Sequence, residues 1–145
     1  MSLQDWLRNG WLVEHKTSRE EVQNLLALAD RDLIDSQIPA LSPDWRFNIA
    51  YNATLQAATA ALAVAGYRAA REAHHYRVIQ SLAHTVKADT KLVDRLDKFR
   101  KKRNVGGYER AGSVSEGEVT EMVTVARKLR EDVESWIRQA YPKLL

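Results

Sequence analysis

The sequence contains no cysteine, and only six glycines and three prolines interrupt its 145 residues. Without thiols, a disulfide framework and a thiolate metal site are both excluded, and a reducing cytoplasm is the expected compartment. A net charge of +3 permits nucleic-acid binding without arguing for it. The first residues lack the basic segment and apolar run of a secretory signal. We therefore expect an ordinary cytoplasmic protein with a single core.

One uncharged stretch, residues 47–65, is long enough to be considered as a membrane span. It contains two asparagines, two threonines and a glutamine, and eight of its nineteen residues are alanine, which gives little transfer free energy. The stretch therefore predicts a central helix buried on most sides of a bundle, with no membrane contact.

Capping motifs and apolar residues at helical spacing predict helices along the whole chain. The predicted starts are the capping box Ser18–Glu21, Ser42-Pro43, His74, Asp89 and the capping box Ser115–Glu118. The predicted ends lie before Pro39, at Gly66, near Val86 and at about Asn104, where Gly106-Gly107 weakens or ends the helix. No run alternates long enough to predict a sheet. The fold class is therefore all-α, an up-down bundle of four to five helices.

A single domain is predicted over residues 18–141. Residues 1–17 form an N-terminal extension whose apolar residues suit a short helix.

Arg103 occupies an unusual position on the predicted fourth helix. At about 100° per residue, Leu92, Leu96 and Phe99 share one apolar stripe, and Arg103 follows on the same side. Lys101 falls on the opposite side. A guanidinium along a buried stripe is costly unless it is paired or faces a groove that receives an anion. Arg103 is therefore either a member of a structural ion pair or a site residue, and spacing alone leaves both open.

Most chemical motifs are absent. The chain has no phosphate-binding Walker loop and no dinucleotide fingerprint. His74 and His75 are adjacent, so on a helix they diverge by about 100° and do not suit one metal ion. The simplest interpretation is a helix start whose imidazoles bind nearby backbone. We expect no metal and no cofactor.

Several segments resemble the HEPN domain superfamily, especially its small stand-alone bacterial members. They are Trp45-Arg-Phe-Asn-Ile-Ala-Tyr-Asn-Ala53, Gly66-Tyr67, His74-His75-Tyr76-Arg77 and Arg100-Lys-Lys-Arg-Asn-Val-Gly-Gly-Tyr108. The resemblance covers roughly Ser18 to Ile137. It implies a helical bundle that usually dimerises through a helical face. HEPN proteins include metal-independent ribonucleases, toxins paired with a minimal nucleotidyltransferase, and non-catalytic binding members.

The ribonuclease members carry an Arg, a polar residue directly after it, and a His four to six residues beyond the Arg. In this chain Arg103 and Asn104 match the first two positions, but the His position falls at Tyr108. Histidine transfers protons near neutral pH, whereas tyrosine, with an ordinary pKa of about 10, is a poor base there. Tyrosine can still hold a phosphate or stack on a base. The resemblance thus implies an anion-facing Arg without its usual proton-transfer partner.

Three functions follow as hypotheses. The first is a HEPN-like homodimer, non-catalytic or weakly active, whose cleft near Arg103 binds RNA or a nucleotide phosphate. The second is a metal-independent ribonuclease toxin of a toxin–antitoxin pair, with a minimal nucleotidyltransferase as partner. The third is a protein-interaction module with Trp6, Trp11 and Trp136 as anchors. The candidate phosphate-binding residues are Arg103, Asn104, Tyr108 and Arg100, with Arg46, Tyr51, Asn52 and His75 as a second tier.

Overall fold

The computed structural model describes residues 1–108 and 113–145, and the side chains of residues 1–103 and 113–145. Six α-helices and two short strands lie within these residues. They are α1 (Leu3–Arg8), β1 (Leu12–Glu14), α2 (Arg19–Asp35), α3 (Pro43–Val64), β2 (Tyr67–Ala69), α4 (His74–Ser81), α5 (Thr90–Tyr108) and α6 (Glu116–Ala140), with a 3-10 turn at Pro142–Leu144. The predicted all-α fold, a helical bundle, is confirmed.

The uncharged helix α3 lies at the centre of the bundle. Helices α2 and α6 pack along it, and α4 and α5 contact it as well. Its alanines Ala53, Ala57 and Ala60 are fully buried, which allows the neighbouring helices to approach closely. In the described part of the chain, no helix is long and apolar enough to cross a membrane. The predicted buried central helix is confirmed.

The predicted capping motifs start their helices as expected. Ser115 and Glu118 form a reciprocal capping box, in which each side chain accepts the other residue's backbone N–H. Ser18 likewise accepts the Glu21 backbone N–H at 3.1 Å. The Glu21 carboxylate, however, contacts the His15 ring nitrogen at 2.6 Å and accepts from a neighbouring hydroxyl instead of completing its box. This contact ties the strand β1 segment to the start of α2.

Two predicted helix ends differ from the structure. Helix α4 ends at Ser81 and not near Val86, because the chain tightens into turns there and Lys87 adopts a left-handed φ of 59°. Helix α5 continues through Gly106-Gly107 to Tyr108. Each glycine costs only about 1 kcal/mol relative to alanine in a helix, so a glycine pair alone need not end one.

Residues 1–17 contain the predicted short helix, α1, and also a strand that the sequence did not predict. Strand β1 pairs antiparallel with β2, with Leu12 opposite Ala69. Both residues are buried, and Trp6 of α1 is 7% exposed and belongs to the same core. Strands of three residues are too short for an alternating pattern to be visible, and this pairing joins distant parts of the chain. The small sheet fastens the N-terminal segment to the bundle.

Candidate anion-binding site

The apolar stripe of α5 packs inside the chain itself. Leu96 is 1% and Phe99 is 8% exposed, and the Phe99 ring meets that of Phe47 on α3 edge to face at 5.8 Å. Arg103, one turn after Phe99, lies over Tyr51, with its guanidinium carbon 5.2 Å from the ring centre. Lys101, by contrast, keeps 68% of its side chain exposed. The basic run comprises residues 100–103, and the spacing therefore predicted correctly which of its cations faces inward.

Arg103 is the cation of this run for which the structure gives no counter-charge. Asp97 accepts from the Arg100 Nε at 2.8 Å and lies 3.4 Å from the Lys101 Nζ. Lys102 donates to a backbone carbonyl and lies 3.4 Å from Glu118. No described carboxylate lies within ion-pairing distance of Arg103, and its buried Nε has no hydrogen-bond partner in the described chain. Of the two interpretations of Arg103, the ion pair finds no support among these residues.

Tyr51 brings a second buried polar group to the same place. The residue is completely buried, and its hydroxyl has no hydrogen-bond partner among the described residues. Burial raises the pKa of this hydroxyl, although Arg103 and Arg100 act in the opposite direction. Tyr51 is therefore a neutral phenol at physiological pH and keeps its proton. A buried tyrosine hydroxyl usually finds a partner, but here the Tyr51 hydroxyl and the Arg103 Nε both lack one among the described residues.

His75 closes the cluster from the first turn of α4. Its ring centre lies 6.1 Å from that of Tyr51. Burial lowers the pKa of His75, and the charges of Arg103, of His74 and of Arg100 lower it further. The imidazole is therefore neutral at pH 7, with one N–H to donate. His74 behaves differently, because its Nδ1 lies 3.3 Å from the Ala70 carbonyl oxygen, as expected for an imidazole bound to nearby backbone.

Helix α4 begins one residue before His75, so the backbone N–H groups without helical partners belong to residues around His75. Its N-cap residue, Ala73, has a left-handed φ of 52° and provides no side-chain cap. The first N–H groups of a helix have no partner within the helix, and the helix dipole places partial positive charge there. A left-handed conformation is uncommon for a residue with a Cβ, and such strain often occurs at functional sites. Anions are favoured at such a position.

The other candidates of the second tier have different surroundings. Arg46 donates to the Ser36 carbonyl at 2.8 Å and to the Glu116 carboxylate at 2.8 Å, so it joins the end of α2 to the start of α6. Its role is structural. Asn52 is half-buried on α3. The side chains of Asn104 and Tyr108 lie outside the described residues.

The predicted tryptophan anchors are largely occupied within the chain. Trp6 is buried, and Trp11 and Trp136 are partly buried against the core. The Arg77 guanidinium carbon lies 3.6 Å from the centre of the Trp11 ring, which it covers. Trp136 meets the ring of Tyr141 edge to face at 5.5 Å.

The arrangement is a cluster of hydrogen-bond donors without an acceptor, formed by Arg103, Tyr51 and His75. Arg100 stands beside it and is paired with Asp97. Among the described residues, no group of three His, Cys, Asp or Glu side chains could hold a metal ion. Guanidinium, hydroxyl and imidazole groups are donors through which proteins bind oxyanions. No family model, curated protein or solved structure matches this chain.

Proposed function

We propose that this protein is a HEPN-like helical protein that binds the phosphate of RNA or of a nucleotide at the cluster of Arg103, Tyr51 and His75. One observation carries the proposal. Arg103 and Tyr51 each hold a buried polar atom that lacks a hydrogen-bond partner among the described residues, and both atoms belong to donor groups. An acceptor bearing negative charge satisfies both donors and offsets the charge of Arg103.

Phosphate suits the donors better than a smaller anion does. A guanidinium presents a planar fork of N–H groups that matches the oxygens of a phosphate, and this charge remains at any physiological pH. His75, whose ring lies near that of Tyr51, offers a further donor to the oxygens that Arg103 does not reach. The resemblance to HEPN proteins favours RNA or a nucleotide as the source of that phosphate.

The proposed activity is binding, with little or no catalysis, because Tyr108 stands where the ribonuclease members of the resembled family have His. One observation favours the second candidate, a metal-independent ribonuclease. His75 is a neutral imidazole within the cluster, since burial and neighbouring cations lower its pKa. A neutral imidazole is the form that accepts a proton from a 2′-hydroxyl.

Assembly as a homodimer is also proposed, and its support is the resemblance. The apolar stripe of α5 gives no independent argument for a second copy, because Leu96 and Phe99 are buried within the chain's own core. A minimal nucleotidyltransferase partner belongs to the toxin candidate alone.

The proposal is tested by titrating the purified protein with inorganic phosphate and with a short single-stranded RNA, using calorimetry at constant ionic strength. Arg103→Ala is expected to weaken both affinities by at least roughly tenfold, the effect of losing one charge-assisted hydrogen-bonding group of 1.5–3 kcal/mol. Lys101→Ala is the matched control, since it removes one positive charge from the exposed side of the same helix. Equal loss in both variants, or no binding by the unmodified protein, contradicts the proposal.

A further inference from the structure

Directly after His75 of the donor cluster, an exposed aromatic ring lies near two guanidinium groups. Tyr76 directly follows His75 on α4 and is 37% exposed. The guanidinium carbon of Arg77 lies 5.4 Å from its ring centre, and that of Arg100 lies 5.5 Å away. At these distances neither guanidinium stacks closely on the ring, in contrast to Arg77 on Trp11 at 3.6 Å. Tyr76 therefore keeps a surface that a planar ligand can contact.

Both guanidinium groups are held in place by other side chains. Arg77 stacks on Trp11, which meets the buried Trp6 edge to face at 6.0 Å. Arg100 is bound through its Nε to Asp97 at 2.8 Å. The platform of Tyr76, Arg77 and Arg100 is therefore largely preorganised, and a ligand that stacks there loses little affinity to ordering these side chains.

We propose that this platform binds the base of the same ligand whose phosphate occupies the donor cluster, so that the site selects nucleotides over bare phosphate. The inference rests on the proposed phosphate site. Aromatic faces and guanidinium planes are the groups on which unpaired bases stack, and stacking tolerates any base because each has a π-face. The platform predicts recognition of an unpaired base without strong preference among the four.

The two subsites adjoin each other along the first turn of α4. His75 and Tyr76 are consecutive residues in the first turn of α4. The His75 ring lies near the ring of Tyr51, and the Tyr76 ring lies near the guanidinium of Arg100. Arg100 lies near the Tyr76 ring, and its charge also lowers the pKa of His75. A ligand with its phosphate at the donor cluster and its base on the platform would therefore contact two consecutive residues, His75 and Tyr76, as the short sugar between base and phosphate requires.

The test compares two ligands that differ in the base alone, adenosine 5′-monophosphate and ribose 5-phosphate, by calorimetry with the unmodified protein. The nucleotide is expected to bind roughly tenfold more tightly, within the range that stacking of one base supplies. Tyr76→Ala is expected to abolish this advantage and to leave the affinity for ribose 5-phosphate unchanged. Tyr76→Phe keeps the ring and is expected to keep the advantage, which separates stacking from any fault in folding.

Tyr141→Ala is the matched control, because Tyr141 is also 37% exposed but packs on Trp136 of α6. It is expected to change neither affinity. Hexa-adenylate separates the two sources of a nucleotide. If it binds more tightly than the monophosphate, the ligand is an RNA strand, and if it binds equally, the ligand is a free nucleotide. In either case Tyr76→Ala must weaken the binding of both hexa-adenylate and the monophosphate. Equal affinities for the nucleotide and the sugar phosphate overturn the base subsite and leave the phosphate site standing. Failure of every ligand to bind overturns both proposals.

Discussion

The guanidinium carbon of Arg103 lies 5.2 Å from the centre of the Tyr51 ring, and the two side chains share an unusual state. Each holds a buried polar atom without a hydrogen-bond partner in the part of the chain that the structure describes. The ring offers the cation some attraction, of about 0.5–2 kcal/mol for such contacts, but it does not give the buried Nε–H the hydrogen bond that it requires. The pair is therefore held at some cost to stability, which is typical of a binding site rather than of a core.

Replacing Arg103 is expected to harm binding without harming the fold. In Arg103→Ala the lost cation–π contact is offset by removal of a buried Nε–H that has no hydrogen-bond partner among the described residues. The free energy of unfolding should therefore stay within about 1 kcal/mol of its original value, a change of roughly 2–4 °C in melting temperature. Thermal denaturation followed by circular dichroism measures this.

A differently placed arginine provides the contrast. The Arg130 guanidinium on α6 donates to Asp30 on α2 at 2.9 Å, and this bond links the two helices. The guanidinium also donates to Glu134 on its own helix. Arg130→Ala leaves both carboxylates without that partner and should cost about 2 kcal/mol, less than a fully buried pair because Asp30 is half exposed. If Arg103→Ala destabilises as much as Arg130→Ala, Arg103 is a structural residue.

Removing the Tyr51 hydroxyl is expected to stabilise the protein. An unsatisfied buried hydroxyl costs about 1–3 kcal/mol, so Tyr51→Phe should raise the free energy of unfolding by up to that amount. The same change should weaken phosphate binding, because the hydroxyl is one of the proposed donors. Urea denaturation and calorimetric titration measure the two effects.

Thr54→Val is the matched control on the same helix. Thr54 is 1% exposed, and its Oγ1 also lacks a hydrogen-bond partner among the described residues. This variant should gain stability for the same reason while its phosphate affinity stays unchanged. A stabilised Tyr51→Phe that binds phosphate as tightly as before would remove Tyr51 from the site.

The helices were predictable because their signals are local. Ser42 and Pro43 open α3 within one turn, and the capping box at Ser115 sets the start of α6. The pairing of Leu12 with Ala69 joins segments far apart in sequence and three residues long, so no local pattern announces it. The end of α4 was not predictable because it is not set by a local signal. Turns stabilised by contacts within the bundle override helical propensity there.

The site was predictable in part for the same reason. Helical spacing placed Arg103 on the inner side of α5, and that is where it lies. The packing of α3, α4 and α5 places Arg103 over Tyr51 and the His75 ring near the Tyr51 ring, while Arg100 binds Asp97. The sequence therefore indicated a buried cation without indicating whether a carboxylate meets it. The stacking platform at Tyr76 was missed, although the run His74-His75-Tyr76-Arg77 contains its signal of aromatic and basic residues side by side.

A homodimer is predicted for the protein in solution. The prediction derives from the resemblance to a family whose members usually dimerise through a helical face. Size-exclusion chromatography with light scattering at tens of micromolar is expected to give twice the chain mass of 16.5 kDa. A monomer mass at that concentration contradicts the prediction and leaves the phosphate site to be formed within one chain.

Ribonuclease activity is expected to be slow or absent. Tyr108 takes the position of the His that transfers a proton in the resembled family, and tyrosine is a poor base at neutral pH. Tyr108→His is expected to raise the rate of cleavage of a labelled single-stranded RNA in the presence of a chelator. Rapid cleavage by the unmodified protein that Arg103→Ala abolishes would support the ribonuclease candidate instead, and loss of that cleavage in His75→Gln would identify the proton-transfer residue.

The stability of the protein is expected to fall in mild acid, and His75 should account for part of the decrease. Burial and the charges of Arg103, His74 and Arg100 lower the pKa of His75 below its ordinary value of 6.5. As the pH falls below that value, the unfolded chain takes up a proton at His75 while the folded chain resists. Stability therefore decreases between pH 6.5 and the lower pKa of the folded state. Urea denaturation at pH 7.5 and 5.5 should show a smaller decrease in His75→Gln.

Added phosphate separates the contribution of His75 to the acid sensitivity from that of His84. The pKa of His84 is also lowered, because of burial and the charges of the N-terminal amino group and Lys87. A phosphate in the proposed site favours the charged imidazole of His75, so saturating phosphate should reduce the loss of stability in acid. To separate this from ordinary stabilisation by a ligand, the comparison is made between variants. The reduction should persist in His84→Gln and disappear in His75→Gln. If phosphate acts equally on both variants across this pH range, His75 does not contact the anion, and the site is limited to Arg103 and Tyr51.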